Sequence, residues 1–336
     1  MISVLVPARN CADWISAALR SVAEQTAAPS QILVADDGSD DGTVDRIRET
    51  GIPGLELLSA SGRLGISAQM NRLLERAEGR YIARMDGDDI SLPRRFEREL
   101  ALMERRSLSV VGSWTRRFGR SNTLHTYPAA DGELKAGLAF GTPFCNPSSV
   151  MDRDRWNGKV PRYDESWLAA GDYRYWTDRR NDGSWGNVQE VLVLWRMHDR
   201  NVGTDPAMGA LQRANAGRIR DDLLRDWNLE LEAPVRSALE ARALGATLDL
   251  AGNAAFLQAL LSLASVSRES LSATGAERRK VLVAQWDLAC LFAAWSTPGL
   301  PQLWWEGRRA LGSLPSPRTA AKIAVKRLLG SFKGSG

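Results

Sequence analysis

Short apolar runs alternate with amphipathic stretches along the first third of the chain. Five runs of strand length occupy 2–7, 31–36, 55–58, 80–85 and 108–114. Between the first two runs, Ile15, Leu19 and Val22 recur at helical spacing, which indicates an amphipathic helix. Strand–helix–strand repetition of this kind predicts the α/β class, with a mostly parallel sheet and helices on both faces.

Two further helices are predicted after the third and fourth runs. The segment 66–77 places its apolar residues on one helical face, and Gly79 stands where a C-cap glycine belongs. Pro93 suits the first turn of the next helix. From about residue 205 the pattern becomes helical without strands. We therefore predict an α/β domain over 1–204 and a helical C-terminal region over 205–336.

Polar clusters follow three of the predicted strands directly. They occupy 7–10, 36–41 and 86–89. In parallel sheets, ligands bind beyond the carboxyl ends of the strands, so these clusters are expected along one sheet edge. Their shared position favours a single functional site.

The third cluster concentrates negative charge, with Asp86, Asp88 and Asp89 in four positions. Neighbouring carboxylates raise one another's pKa unless a positive charge lies among them. Mg²⁺ or Mn²⁺ prefers oxygen ligands supplied partly by phosphates, so a metal–diphosphate site would resolve the repulsion. The alternative is a solvated turn whose acids cap the following helix.

Composition and the number of cysteines and histidines limit the classes of protein to which this chain can belong. The 336 residues are 44% hydrophobic and 25% charged, as in a globular protein that buries a core without disulfides. Three widely spaced cysteines, without a C-x-x-C pair, indicate a reducing compartment, and two histidines make a Cys/His zinc site unexpected. The N-terminus does not resemble a secretory signal, and no membrane-spanning stretch is predicted, so we expect a cytoplasmic protein.

Basic charge is concentrated in the C-terminal tail. The formal net charge is +4, but residues 318–336 contribute five basic side chains and no acid, so the remainder nets −1. No nucleic-acid partner is therefore expected. Within 318–333, apolar and basic residues fall on separate helical stripes, which predicts peripheral contact with an anionic membrane. An ordinary terminal helix with a solvated face is the alternative.

Three segments resemble the nucleotide-sugar half of family-2 glycosyltransferases of the GT-A fold. They read "ISVLVPARN", "ILVADDGSDDGT" and "RLGISAQMNRLLERAEGRYIARMDGDD". A weaker similarity continues through "PFCNPSSVM", "RYDE", "GDYRYW" and "VLVLWRMHD". The resemblance implies a nucleotide-sugar half over 1–105 and an acceptor half over 106–204.

The resemblance assigns the nucleotide to the first two clusters and the following helix. Pro7, Ala8, Arg9 and Asn10 would border the base, with Arg9 where the family often has an aromatic ring. Asp37 would accept the uracil N3–H, and Ser39 would support that loop. Arg63 takes the place of a family asparagine, whereas Asn71 matches and either serves the nucleotide site or only fastens a loop.

The catalytic groups implied by the resemblance lie in the third cluster, residues 86–89, which we call the acid turn, and in two later motifs. Asp86, followed by Gly87, would face ribose and metal, and Asp88 would be the direct metal ligand. Arg196 and His198 match an R-x-H motif that would complete the metal or diphosphate site. Asp172 would be the base of an inverting transfer, although Gly171 stands where the family has Glu.

The resemblance thus implies a metal-dependent inverting glycosyltransferase with a UDP-sugar donor and a glycan or lipid-linked acceptor, acting in bacterial surface polysaccharide biosynthesis. A homo-oligomer through the helical region is compatible with it. A sugar nucleotidyltransferase is one alternative, but the segment after the first strand lacks its Gly-rich phosphate loop. A degenerate nucleotide or partner binder is the other, and Gly171 favours it.

Overall fold

The computed structural model describes residues 1–60, 62–156, 160–201, 204–266, 273–293 and 299–313. They form two compact units. The first comprises Met1–Leu134 and Thr142–Ala216, and the second comprises Lys135–Gly141 and the described residues from Gly217 onward. The predicted amphipathic tail helix, 318–333, lies outside the described residues, and the predicted division at residue 204 stays a prediction.

The elements of the first unit follow the predicted strand–helix alternation. Its strands are β1 (Ile2–Ala8), β2 (Gln31–Asp36), β3 (Leu55–Ser59), β4 (Tyr81–Arg84), β5 (Ile90–Ser91), β6 (Val110–Gly119), β7 (Leu124–His125), β8 (Val150–Asp152) and β9 (Trp185–Met197). Its helices are α1 (Ile15–Ala23), α2 (Thr43–Glu49), α3 (Ile66–Arg76), α4 (Arg95–Arg106), α5 (Asp131–Ala136) and α6 (Gly171–Asp178). The five predicted strands correspond to β1, β2, β3, β4 and β6.

The sheet is parallel at one end and mixed beyond it. Its strand order is β3-β2-β1-β4-β8-β6-β9-β5, and β3, β2, β1 and β4 are all parallel. The short strand β8 then pairs antiparallel with both β4 and β6, and β5 pairs antiparallel with β9. The α/β class is confirmed, but the parallel arrangement is confined to one half and to the β6–β9 pair.

The central strand β1 is buried on both of its faces. Val4 and Val6 pack into a core with residues of α1, α2 and α4, among them Ile15 and Phe96. Leu5, which points to the opposite face, is also fully buried. A strand buried on both faces is continuously apolar, which explains the unbroken run at 2–7.

Gly79 is required by close packing rather than by helix capping. The helix α3 ends at Arg76, and Ala77 continues in an extended conformation. The amide of Gly79 donates to Ser3 Oγ at 2.8 Å, and a Cβ there would lie 2.6 Å from the Ser3 backbone nitrogen. The predicted C-cap role is therefore wrong, because the glycine instead allows β1 to approach the segment that leads into β4.

The second unit is helical over its described residues. Its helices are the end of α7 (Pro206–Asp226), α8 (Ala233–Ala243), α9 (Leu250–Ser265), α10 (Gly275–Ala293) and α11 (Leu300–Ala310). Trp286 is fully buried between α10 and α11, and its indole donates to the Trp304 carbonyl at 3.0 Å. No helix in the described ranges has both the length and the apolar character needed to cross a membrane.

We expect Gly79→Ala to lower the free energy of unfolding by about 1–3 kcal/mol, because its methyl group meets backbone that cannot move aside. Chemical denaturation followed by circular dichroism measures this change. Gly62→Ala is the matched control, since a Cβ there meets no described atom within 4 Å, and it should shift stability by about 0.5 kcal/mol or less. Equal effects of the two substitutions would contradict the packing explanation.

Candidate active site

The three polar clusters meet at the carboxyl ends of β1, β2 and β4, as predicted. The Asp37 amide donates to the Ala8 carbonyl at 2.9 Å, joining the first two clusters. The third closes on the first at Gly87, where a Cβ would lie 3.0 Å from Ile15 Cδ1 and 3.1 Å from Cys11 Sγ. Gly87 thus lets the acid turn pack against the residues after β1.

Ser39 links the second polar cluster, to which it belongs, to the first. Its hydroxyl donates to Asp36 Oδ1 at 2.5 Å and accepts from the Asn10 amide at 2.9 Å. Asn10 has a left-handed backbone with φ of 47°, and its Oδ1 accepts from the Asp40 amide at 3.1 Å. Pro7 is half-buried beside this loop, whereas Arg9 and Arg63 are exposed.

Asp37 holds the segment that leads into α3. Its Oδ1 accepts from the Leu64 amide at 2.6 Å and from Gln69 Nε2 at 2.9 Å. Its Oδ2 accepts only a longer bond from the Gly65 amide, at 3.2 Å. One carboxylate oxygen is therefore committed to the loop, and Oδ2 retains the greater capacity to accept a base N–H.

Asn71 fastens a loop rather than facing the nucleotide clusters. It is buried, its Nδ2 donates to the Tyr163 carbonyl at 3.0 Å and to Glu165 Oε1 at 2.7 Å, and its Oδ1 accepts from the Tyr163 amide at 2.8 Å. Both amide hydrogens and the carbonyl are in use. Of the two interpretations left open by the sequence, these contacts support the loop-fastening one.

Asp86 is paired with a buried cation that the sequence analysis did not identify. Arg84, at the end of β4, donates from Nε and Nη2 to Asp86 Oδ1 at 3.2 and 3.1 Å. Burial lowers the pKa of this guanidinium, but Asp86, Tyr163 and Asp172 together raise it above its usual range. An Arg at a buried strand position next to an acid cluster was the available signal.

Asp88 is hydrogen-bonded to His198, its predicted partner. Asp88 Oδ2 lies 2.9 Å from His198 Nε2, and both side chains are largely buried. His198 Nδ1 accepts from the Arg200 amide at 3.0 Å, so the Nε2 atom carries the ring proton and donates it to Asp88. Burial, followed by the charge of Asp86, raises the pKa of Asp88, and His198 opposes the rise.

An aromatic contact that the sequence analysis missed holds His198 in place. The Trp14 ring stacks on the imidazole with centroids 3.9 Å apart and 18° between planes. The Arg200 guanidinium lies 4.3 Å from the centroid of the same indole and pairs with Asp13. The turn that carries His198 is therefore fastened to the residues between β1 and α1.

Asp89 joins the acid turn to β9 and does not face the cleft. Its side chain is fully buried, and its Oδ1 accepts from the Arg196 amide at 2.8 Å. Arg196 in turn donates from Nε to the Asp88 carbonyl at 2.7 Å. Burial and the charges of Asp88 and Asp86 raise the pKa of Asp89 well above its usual range. Arg196 thus holds the acid turn in two ways: its amide donates to the Asp89 side chain, and its side chain donates to the Asp88 carbonyl.

Asp172 lies in the first turn of α6, where its Oδ1 accepts from the Tyr173 amide at 2.8 Å. Its charge reaches both Arg84 and the buried Tyr163. At Gly171 a Cβ would lie 2.9 Å from Ser67 Oγ, at the start of α3. A side chain at position 171 would therefore have to displace the Ser67 hydroxyl.

The carboxylates suit a cation that arrives with a diphosphate. Within the described ranges, no three His, Cys, Asp or Glu side chains converge as a preformed metal site. Mg²⁺ and Mn²⁺ bound to nucleotides need only one or two protein carboxylates, because phosphates and waters complete the shell. Asp88 presents one such carboxylate, and His198 Nε2 lies within hydrogen-bond distance of it.

We expect Asn71→Ala to reduce the free energy of unfolding by about 2–3 kcal/mol, because it leaves the buried Tyr163 amide without its acceptor. Urea denaturation measures the loss. UDP affinity, measured by calorimetry at a temperature where both proteins are folded, should change less than about threefold. A large loss of affinity without loss of stability would restore Asn71 to the nucleotide site.

Comparisons with known proteins show that this chain is similar to glycosyltransferases. A family model described as "Glycosyl transferase family 2" matches residues 3–157. The Escherichia coli UDP-Glc:alpha-D-GlcNAc-diphosphoundecaprenol beta-1,3-glucosyltransferase WfaP is 31% identical over 220 residues, which cover 64% of this chain and 84% of that protein. Three further curated relatives are matched over 68%, 55% and 44% of their own lengths.

Solved structures share the fold at low identity. S. aureus TarS 1–349 in complex with UDP-GlcNAc superposes with a TM-score of 0.54 at 14% identity, covering 86% of this chain and 90% of that one. The Pyrobaculum calidifontis mannosyltransferase PcManGT, in complex with GDP-Man and Mn²⁺, gives 0.53 at 18% identity, covering 97% and 86%. The fold is thus of the GT-A type, and the chain belongs to glycosyltransferase family 2.

Proposed function

We propose that this glycosyltransferase moves a sugar from a UDP-sugar to a lipid-linked glycan, with inversion and with a divalent cation. The observation that carries the proposal is the meeting of three strand-end clusters beside Asp88, with the candidate base Asp172 in the field of the same Arg84 that binds Asp86. The sequence relative WfaP supports this choice of substrates, because it is named as a UDP-Glc:alpha-D-GlcNAc-diphosphoundecaprenol beta-1,3-glucosyltransferase.

The donor side follows from the groups that the clusters leave available. Asp37 Oδ2 is suited to accept the base N3–H, because Oδ1 is committed to the loop at Leu64. Arg9 is exposed at the end of β1 and presents a plane on which a base can stack. Asp86 Oδ2 remains available to a ribose hydroxyl, since Arg84 contacts only Oδ1.

The diphosphate would lie beside Asp88. When bound, a divalent cation there supplies charge neutralisation of the leaving phosphate. Asp88 is held for this role by His198, and Arg196 fixes the turn by its bond to the Asp88 carbonyl. A preorganised carboxylate costs little reorganisation when substrate binds.

The acceptor side is assigned to the first turn of α6. Asp172 Oδ1 is hydrogen-bonded to the Tyr173 amide, which leaves Oδ2 to take the proton of the attacking hydroxyl. Attack from the side opposite the diphosphate inverts the anomeric carbon. In this proposal the basic segment 318–333 brings the protein to the anionic inner face of the membrane, where a lipid-linked acceptor resides.

A nucleotide-binding protein without transfer activity is the second candidate. Gly171 removes one carboxylate from the position before the base, and Ser67 occupies the space that a side chain there would need. Transfer activity that depends on Asp172 separates the two candidates.

The cation site is tested by the effect of Mn²⁺ on UDP binding. In the wild-type protein Mn²⁺ should strengthen binding at least about tenfold, and Asp88→Asn should abolish this gain because it removes the ligand. Isothermal titration calorimetry with and without Mn²⁺ measures both. The exposed Asp45→Asn on α2 serves as the control and should behave as wild type. If the wild-type affinity for UDP is the same with and without Mn²⁺, the role of the cation in the proposal is refuted.

The base is tested by turnover of UDP-sugars. Asp172→Asn should lower kcat by about 10²–10⁴-fold while the KM for the donor changes little, because the amide cannot take the proton. Release of UDP from a panel of UDP-sugars, with a lipid-linked acceptor, measures this. Asp178→Asn, on the same helix and paired with Arg174, is the matched control. Full activity in Asp172→Asn would place the base elsewhere.

A further inference from the structure

Arg84 is a buried cation at the base of the acid turn. Its side chain is 6% exposed and that of Asp86 is 30% exposed. A buried guanidinium is stable only when it is paired, because the desolvation of an uncompensated charge is costly. The pairing with Asp86 therefore belongs to the fold and is not a loose surface contact.

The backbone around Arg84 holds it in place. Its amide donates to the Ser149 carbonyl at 2.9 Å, and its carbonyl accepts from Arg95 Nη2 at 2.8 Å. Arg95 is itself fully buried and paired with Glu99 at 3.0 Å. The guanidinium that faces Asp86 is thus carried by a strand end that is fixed on both sides.

The three acids of the turn are compensated in three different ways. Asp89 accepts a backbone amide, Asp88 accepts a proton of His198, and Asp86 receives a guanidinium. Of these three partners, the guanidinium of Arg84 alone carries a full charge at any pH at which the protein is folded. Asp86 therefore differs from Asp88 in being neutralised before any ligand arrives.

We propose that Arg84 is the fixed counter-ion of Asp86, and that it withholds Asp86 from the cation so that Asp88 is the acidic ligand. The inference rests on the proposed function, in that the cation binds beside Asp88. Under this proposal Asp86 does not share the metal, which differs from the expectation that the resemblance gave. Arg84 is a positioning residue here, since it acts through Asp86.

The pairing has a direct consequence for free cations. With Asp86 neutralised by Arg84, Asp88 is the carboxylate of the two that keeps its negative charge for Mn²⁺ in the nucleotide-free site. The cation is then retained mainly through the diphosphate. Removing the Arg84 charge would leave a second carboxylate, Asp86, uncompensated two residues from Asp88 and should create a stronger cation site.

The test measures binding of Mn²⁺ alone, by electron paramagnetic resonance at neutral pH without nucleotide. Arg84→Gln should bind Mn²⁺ roughly thirtyfold more tightly than wild type, which is the effect on a divalent ion of one extra unit charge at about 4 Å in a high dielectric. The gain should vanish in Arg84→Gln/Asp86→Asn. A residue that only supported the fold would give unchanged or weaker binding, and either result overturns the proposal.

Two variants control for charge and for folding. Arg94→Gln removes an exposed guanidinium from the same segment and should leave Mn²⁺ affinity at the wild-type value. Arg84→Lys retains the charge and should stay within about twofold of wild type. If Arg84→Gln does not fold, as thermal melting would show, Arg84→Met fills the buried volume without a polar group and should give the same gain in affinity. A gain in Arg84→Lys as large as that in the uncharged variants overturns the counter-ion role.

The same titrations repeated with UDP separate this inference from the proposed function. If wild type fails to bind Mn²⁺ even with UDP, the cation in the proposed function is refuted. If wild type binds Mn²⁺ with UDP through Asp88, but Arg84→Gln shows no gain without UDP, the counter-ion inference alone is refuted.

Discussion

The pairing of β1 with β2 on one side and with β4 on the other is the constraint on which the rest of the site depends. Parallel registry from Ser3 with Gln31 to Ala8 with Asp36 makes the first two strands end together. Met85, just beyond β4, donates its amide to Leu5 and so ends beside them. The polar residues that follow these strands therefore lie side by side and line one cleft.

Concentrating acids at such an edge requires compensation from elsewhere in the chain. The partners come from β4 itself through Arg84, and from the end of β9 and the turn after it through Arg196 and His198. The segment after β9 is fastened in turn by Trp14 and Arg200 to the residues after β1. The acid turn after β4 and the segment around the end of β9 are therefore electrostatically dependent on one another.

Much of this arrangement could be predicted from the sequence, because strands and strand-end clusters are local patterns. The five predicted strands and the meeting of the clusters at 7–10, 36–41 and 86–89 agree with the structure. What could not be predicted depends on long-range packing. Gly79 looked like a helix cap, but its reason is the approach of Ser3. The bond of Asn71 to Tyr163 and the stacking of Trp14 on His198 join residues far apart in sequence.

Sequence separation also governs when the site can exist during synthesis of the protein. The Asp89 carboxylate and the Arg196 amide that donates to it are 107 residues apart. A nascent chain that has emerged only through β5 carries the acid turn without that partner, and without His198. Because Arg196 and His198 are synthesised long after the acid turn, the partners of Asp88 and Asp89 are in place only when β9 has joined the sheet. A ribosome-bound fragment ending before β9 would thus contain all three strand-end clusters and the Arg84 partner of Asp86, but lack these partners of Asp88 and Asp89.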